Sequence, residues 1–337
     1  MNLSSPKSPS TAALVLAFAT IYLAWGSTYL GMKVAVETMP PYAMAAVRFL
    51  LSGAILLGVG LARGLAWPKP RQWRDNLGVG VLLLLGGNGL VAWAGQFMPS
   101  GVTALLLGAS PLFMVLVEWA WPGGVRPVGR VWGGLALGLA GVAWLAAPWE
   151  NPAQGGWPVA GLVALLIACV AWAVGSIASR RSRDPAPVLV AAAVQMLGGG
   201  LALAVVALAT GEMADFALAE VSRASLGAWA YLVIVSLVAF PTYAWLMQNS
   251  TPARVSTYAY VNPVIALFLG WLLLDEALAP RTAAAAALIV LSVVVIKLPA
   301  ARRSQRRPDA TREATGEVGS WLGAVAQRLN TPHPAKS

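Results

Sequence analysis

The sequence predicts an all-α polytopic membrane protein: ten transmembrane helices arranged as two inverted five-helix repeats. Three observations predict it. The first is composition: 58% of the 337 residues are hydrophobic and 11% are charged, where a soluble domain carries roughly 25% charged residues. The mean hydropathy is +0.70. The second is the set of apolar runs, each near the ~20 residues that a helix needs to cross a bilayer. The third is internal repetition. Trp93, Gln96, Pro111 and Trp119 recur 152 positions later as Trp245, Gln248, Pro263 and Trp271, and Gly89 falls on Pro241. Upstream, Ala24-Trp25 and Pro40 recur 147 positions later as Ala171-Trp172 and Pro187. Such duplication points to a transporter architecture.

Residues 1–11 form a short polar N-terminus with one charge, Lys7. The first repeat, 12–147, contains segments at about 12–35, 41–61, 76–96, 100–121 and 128–147. The first segment has the place of a signal peptide, but its Trp25 belongs to the repeat, so it is read as a retained helix. The third is interrupted by Gly86-Gly87-Asn88-Gly89, and the fourth by Pro111. In the fifth, Gly134, Gly138 and Gly141 make a small-residue face that permits close packing, within the protein or between two copies as a homodimer. The second repeat, 157–298, contains segments at about 157–178, 186–209, 226–247, 252–274 and 281–298, with Pro241 in the third and Pro263 in the fourth. The five-residue change in offset falls in the polar loop at 210–225, where insertions are tolerated. Residues 299–337 form a basic tail. Its Arg302, Arg303, Arg306 and Arg307 suit anionic lipid, and Val318, Trp321, Leu322, Val325 and Leu329 have the spacing of a surface-lying helix.

The formal charge of +10 is a topology signal and not a nucleic-acid signature. With the N-terminus in the cytoplasm, 19 of the 23 Lys and Arg fall on the cytoplasmic side, and only Arg223 and Arg281 face outward. Both termini are then cytoplasmic, in the inner membrane. Five helices per repeat is an odd number, so the repeats are inverted about an axis in the membrane plane.

Few side chains suit catalysis. The one cysteine, Cys169, lies in an apolar run, and the one histidine, His333, lies in the tail. Neither a disulfide framework nor a metal cluster follows, and no cofactor is expected. No HExxH and no GxxxxGK occurs, so metalloprotease chemistry and ATP as an energy source lack their motifs. A channel or non-transporting scaffold is the alternative reading, and a polytopic enzyme a third.

The run Ala24-Trp25-Gly26-Ser27-Thr28-Tyr29, with Pro40-Pro41 and Arg48-Phe49, resembles the start of an EamA-type repeat of the drug/metabolite transporter superfamily. Asn88-Gly89-Leu90-Val91-Ala92-Trp93 and the Pro111 segment resemble its continuation, and Asn262-Pro263 with Asp275-Glu276 resembles the end of the second repeat. The fourth helix departs from that pattern, ending in Pro122-Gly123-Gly124. The resemblance implies a ten-helix inner-membrane carrier that exports small metabolites or amphiphilic drugs.

The interruptions place the substrate path. Irregular backbone inside a bilayer is tolerated where it faces protein or a water-filled cavity. Gly89, Pro111, Pro241 and Pro263, all near mid-helix, are therefore expected to mark a midplane cavity and to act as hinges. Trp25, Ser27, Asn88, Trp93, Ser110, Tyr243, Tyr258 and Asn262 are the expected substrate-contacting side chains, with Trp172, Trp245 and Tyr260 as further aromatic candidates. Intramembrane charges default to functional hypotheses. Arg48 suits a substrate carboxylate or neighbouring carbonyls, Lys33 an ion pair with Glu37 four residues on, and Glu118 the inner interface or a proton-sensing gate.

Overall fold

The structure is a computed structural model that describes residues 10–122, 124, 129–146, 158–214, 216–250, 255, 258–275 and 280–297. Among them the long elements are α1 (Thr11–Ala35), α2 (Pro41–Ala62), α3 (Pro70–Ala94), α4 (Ser100–Ala120), α5 (Gly129–Ala146), α6 (Val159–Arg180), α7 (Val188–Ala209), α8 (Arg223–Asn249), α9 (Tyr258–Leu274) and α10 (Pro280–Lys297). No strand occurs among the described residues. Seven stretches are long and apolar enough to cross a membrane: α1, α2, α3, α4, α6, α7 and, within α8, Arg223–Leu246. The expected surface helix of the tail and the N-terminal residues before Ser10 lie outside the described residues, as do Arg126, Arg254 and Glu276.

Local chemistry sets the helix starts. Pro41, Pro70 and Pro280 stand at first helical positions, where a missing N–H costs nothing. Ser10 caps α1 by accepting from Ala13 N at 3.2 Å, and Ser222 caps α8 by accepting from Ser225 N at 3.0 Å. Helix α3 starts six residues before the 76 read from hydropathy, because its first turn is polar. Lys69 N donates to Gln72 Oε1 at 3.0 Å, and Gln72 Nε2 donates to Asp184 Oδ1 at 3.2 Å, tying this turn to the α6–α7 loop.

Helix α2 receives its cap from the other half of the chain. Pro40 offers no side-chain acceptor there. Gly211, at φ +72°, turns the chain out of α7, and the Glu212 carboxylate accepts from Tyr42 N and Ala43 N, each at 3.1 Å. An anion at a helix N-terminus meets free N–H groups and the positive end of the dipole. Burial pushes the Glu212 carboxyl above the usual carboxylate range, and the two backbone donors pull it partly back.

Two of the four expected interruptions are departures from α geometry. In α3 the backbone is π-helical over Val81–Gly89, and in α4 it turns at Gly108-Ala109 between two helical pieces. The other two are corrected: α8 runs through Pro241 and α9 through Pro263 as continuous helices. A proline removes one backbone bond but leaves its neighbours' bonds in place. Three glycines in four residues cost about as much helix propensity as one proline, roughly 3 kcal/mol, but spread it over a whole turn.

The Lys33–Glu37 ion pair is also corrected. Helix α1 ends at Ala35, so the i, i+4 geometry is lost before Glu37. Ion pairs among the described residues join Lys69 to Asp184, and Arg71 and Arg74 to Asp75. Lys33 is half-buried, and Glu118 is exposed near the end of α4.

The helices pack in corresponding pairs across the two halves. Helix α1 packs on α8 and α6 on α3; α2 packs on α8 and α7 on α3; α1 packs on α9 and α6 on α4. Three further contacts join corresponding helices: α2 with α7, α4 with α9, and α5 with α10. Close approach needs small residues. A Cβ on Gly80 would overlap the Gln195 carbonyl oxygen of α7. The glycine face of α5 is used within the chain: a Cβ on Gly138 would lie 2.8 Å from Ser292 Oγ, and one on Gly141 2.9 Å from Ile289 Cγ1, both on α10.

Candidate functional site: a cavity shared by the two repeats

Seven helices contribute to one interior cavity. Helix α1 supplies Trp25, Thr28, Tyr29 and Met32, and α2 supplies Arg48. Helix α3 supplies Gly87, Asn88 and Val91, and α4 supplies Leu107 and Ser110. Opposite them stand Ala168 and Trp172 of α6, Phe240 of α8, and Tyr258 and Asn262 of α9. The volume open to water is about 80 Å³, room for a few waters at roughly 10–15 Å³ each.

The lining follows the duplication. Trp25 and Trp172 are 147 apart; Asn88 and Phe240, and Ser110 and Asn262, are 152 apart. All six line this one cavity. Trp25 is its aromatic hub, with ring centroids 5.7 Å from Trp172, 4.8 Å from Tyr243 and 4.9 Å from Tyr258. Trp172 reaches the cavity because α3 is glycine there. A Cβ on Gly86 would lie 2.7 Å from Ala171 Cβ, and one on Gly87 3.2 Å from the Trp172 ring. The same glycines that permit the π-helical turn thus admit the indole.

Ser110 compensates for the proline beside it. Pro111 has no N–H, so Leu107 O loses its helical partner. Ser110 Oγ donates to that oxygen at 2.6 Å. Asn262, the corresponding residue, is 3% exposed in the cavity wall, and its buried Oδ1 has no hydrogen-bond partner among the described residues. Helix α4 meets α9 at its turn: a Cβ on Gly108 would lie 3.1 Å from Pro263 Cγ and 3.3 Å from Ala259 O.

Of the expected contact residues, Trp25, Asn88, Ser110, Tyr258 and Asn262 line the cavity, together with Arg48. Tyr243 packs behind Trp25 and Tyr258. Trp93 stands outside, its ring against Phe97 at 4.9 Å. Ser27 faces a separate apolar groove among α1, α8 and α9, where its hydroxyl bonds Tyr231 Oη. Trp245 packs with a separate cluster of Ala17, Ile21 and Leu246. The reason is helical phase. Residues 25, 28, 29 and 32 share one face of α1, and 27 falls off it. Thr28, Tyr29, Met32 and Phe240 were missed, and stepping three or four residues from Trp25 would have found the first three.

The EamA-like transporter family matches this chain twice, over residues 12–147 and 159–298. The chain belongs to that family. Among similar proteins is one described as the uncharacterized inner membrane transporter YedA of Escherichia coli K12. It is 36% identical over 280 residues, spanning 82% of this chain and 88% of that one. Protein PecM of Dickeya dadantii is 26% identical over 286 residues, spanning 81% and 88%. A crystal structure of an unnamed protein superposes with a TM-score of 0.61 at 27% identity, covering 87% of this chain and all of that one. The two EamA segments meet at the cavity: α1–α4 lie in the first match, and α6, α8 and α9 in the second.

Proposed function

We propose that this EamA protein is a secondary transporter of the inner membrane that carries a small organic solute by alternating access. Ten transmembrane helices form two inverted repeats, with both termini cytoplasmic. One observation carries the reading: three pairs of residues related by the duplication line a single interior cavity. An inverted repeat offers two arrangements of similar energy that expose one central site to opposite faces. The exchange of helix pairs between the halves fits that symmetry. So does the basic-residue split, which orients the chain. The direction is export, as the resemblance implies, and small metabolites or amphiphilic drugs are the substrate class.

Solute flux in proteoliposomes tests the proposal, with and without a pH gradient. Saturable uptake accelerated by unlabelled solute on the far side is the expected result. Non-saturating flux without counterflow is the behaviour of a channel and would overturn it.

A further inference from the structure

Arg48 is 2% exposed, in the wall of the cavity. Its Nε donates to Ser236 Oγ at 2.7 Å, and its guanidinium lies 4.7 Å from the Phe49 ring centroid. Ser236 Oγ in turn donates to Leu232 O at 2.8 Å, so its hydroxyl proton is engaged and a lone pair faces Arg48. This fixes one edge of the guanidinium. No acidic side chain lines the cavity, and Arg48 takes part in no ion pair among the described residues. A buried cation without a counter-ion is costly.

Packing alone does not require the charge. The position corresponding to Arg48 in the second repeat, 147 residues on, is Gln195. Gln195 makes the corresponding helix-to-helix contact with a neutral amide, donating to Asn76 Oδ1 of α3 at 2.9 Å. Helix 2 of each repeat thus bonds helix 3 of the other, once with an amide and once with a guanidinium. The charge therefore needs a partner that the described residues do not supply.

We propose that Arg48 is the binding group for the carboxylate of a small, singly charged organic anion, which is the solute this cavity takes. A planar carboxylate fits the free edge of a guanidinium through two parallel hydrogen bonds. A single fixed cation suits one negative charge better than a doubly charged phosphate. Trp25, Trp172, Phe240 and Tyr258 hold the apolar body and exclude water, which strengthens the charged contact. The inference rests on the proposed role of the cavity as solute site.

The test uses the purified full-length protein and matched probes: propionate against propionamide, and benzoate against benzamide and benzylamine. Ligand-dependent thermal stabilisation reads binding. At least one carboxylate is expected to stabilise the protein at concentrations where its amide and the amine do not. Arg48→Gln is expected to weaken that binding at least tenfold, and Arg48→Lys to restore part of it. Equal stabilisation by amides or amine, no stabilisation by either carboxylate, or undiminished carboxylate binding in folded Arg48→Gln would each overturn the inference. The wild-type comparison needs no variant to fold. Transport separates the two proposals. Arg48-dependent carboxylate binding without flux would defeat the transporter reading alone. Saturable flux of benzylamine or benzamide, unchanged in Arg48→Gln, would defeat the anion site alone.

Discussion

Proline 111 removes the N–H that Leu107 O would accept, and the Ser110 hydroxyl replaces it at 2.6 Å. Deleting that hydroxyl leaves a buried carbonyl unpaired. Ser110→Ala is predicted to cost about 1–2 kcal/mol, within the range for an unsatisfied buried acceptor. Adding Pro111→Ala returns a backbone donor, so the double variant should recover much of the loss. Unfolding of the four proteins in detergent measures this coupling, and additive effects would show that Ser110 has another role. Glu212 gives a prediction in pH. Burial raises its pKa in the folded protein, so the folded state holds that proton more tightly than the unfolded chain does. Its contribution to stability is present below the ordinary value of 4.5 and shrinks as pH rises past it through the folded pKa. Relative to Glu212→Gln, the wild type should therefore lose thermal stability as pH climbs through that window. Parallel melting curves that keep a constant gap would contradict this. At this scale the sequence showed residue types better than directions. Asn88 and Ser110 were legible as polar side chains in apolar runs. Ser27 and Trp93 were legible too, but helical phase turns them away from the cavity.

Helix interruptions were legible as composition, though not as geometry. Glycines at 86, 87 and 89 produce a π-helical stretch, whereas Pro241 and Pro263 sit inside continuous helices. A π-turn comes from a run of weak positions and close packing against α6, which no hydropathy profile reports. Helices α4 and α9 nevertheless remain the expected moving parts. Pro111→Ala and Pro263→Ala are predicted to leave thermal stability near wild type while slowing transport. Each restores one backbone bond and so favours one state, and a bias of about 1.4 kcal/mol shifts a two-state ratio tenfold. Under the proposed inversion of the repeats, the two variants should favour opposite faces, as read by labelling cysteines at the two cavity mouths. Wild-type flux in both variants would contradict the hinge role. The α3–α7 contact is rigid by comparison. Gly80→Ala places a methyl on the Gln195 carbonyl oxygen, and a loss of roughly 1–3 kcal/mol is expected from forced overpacking.

At the scale of the whole molecule, the duplication carries the argument. It was readable because tryptophans, prolines and an amide recur at constant offsets. The structure adds what offsets cannot contain: the partners that corresponding residues share. Trp25 meets Trp172, and Ser110 and Asn262 open on the same space. The proposed orientation rests on the split of the loop Lys and Arg, 19 to two, which the positive-inside rule reads as cytoplasmic and outward. Reporter fusions after Ser337 and within 210–225 should read cytoplasm and periplasm respectively, and a periplasmic Ser337 would reverse it. The central claim is that the shared cavity faces each side of the membrane in turn. The most direct measurement places single cysteines at Trp25, Asn88 and Asn262 in a Cys169→Ala background and applies an impermeant thiol reagent to one side at a time. Each cysteine should react from both sides, with solute slowing both reactions and a cysteine at Trp93 serving as the off-cavity comparison. Reaction from one side only, with or without solute, would contradict alternating access.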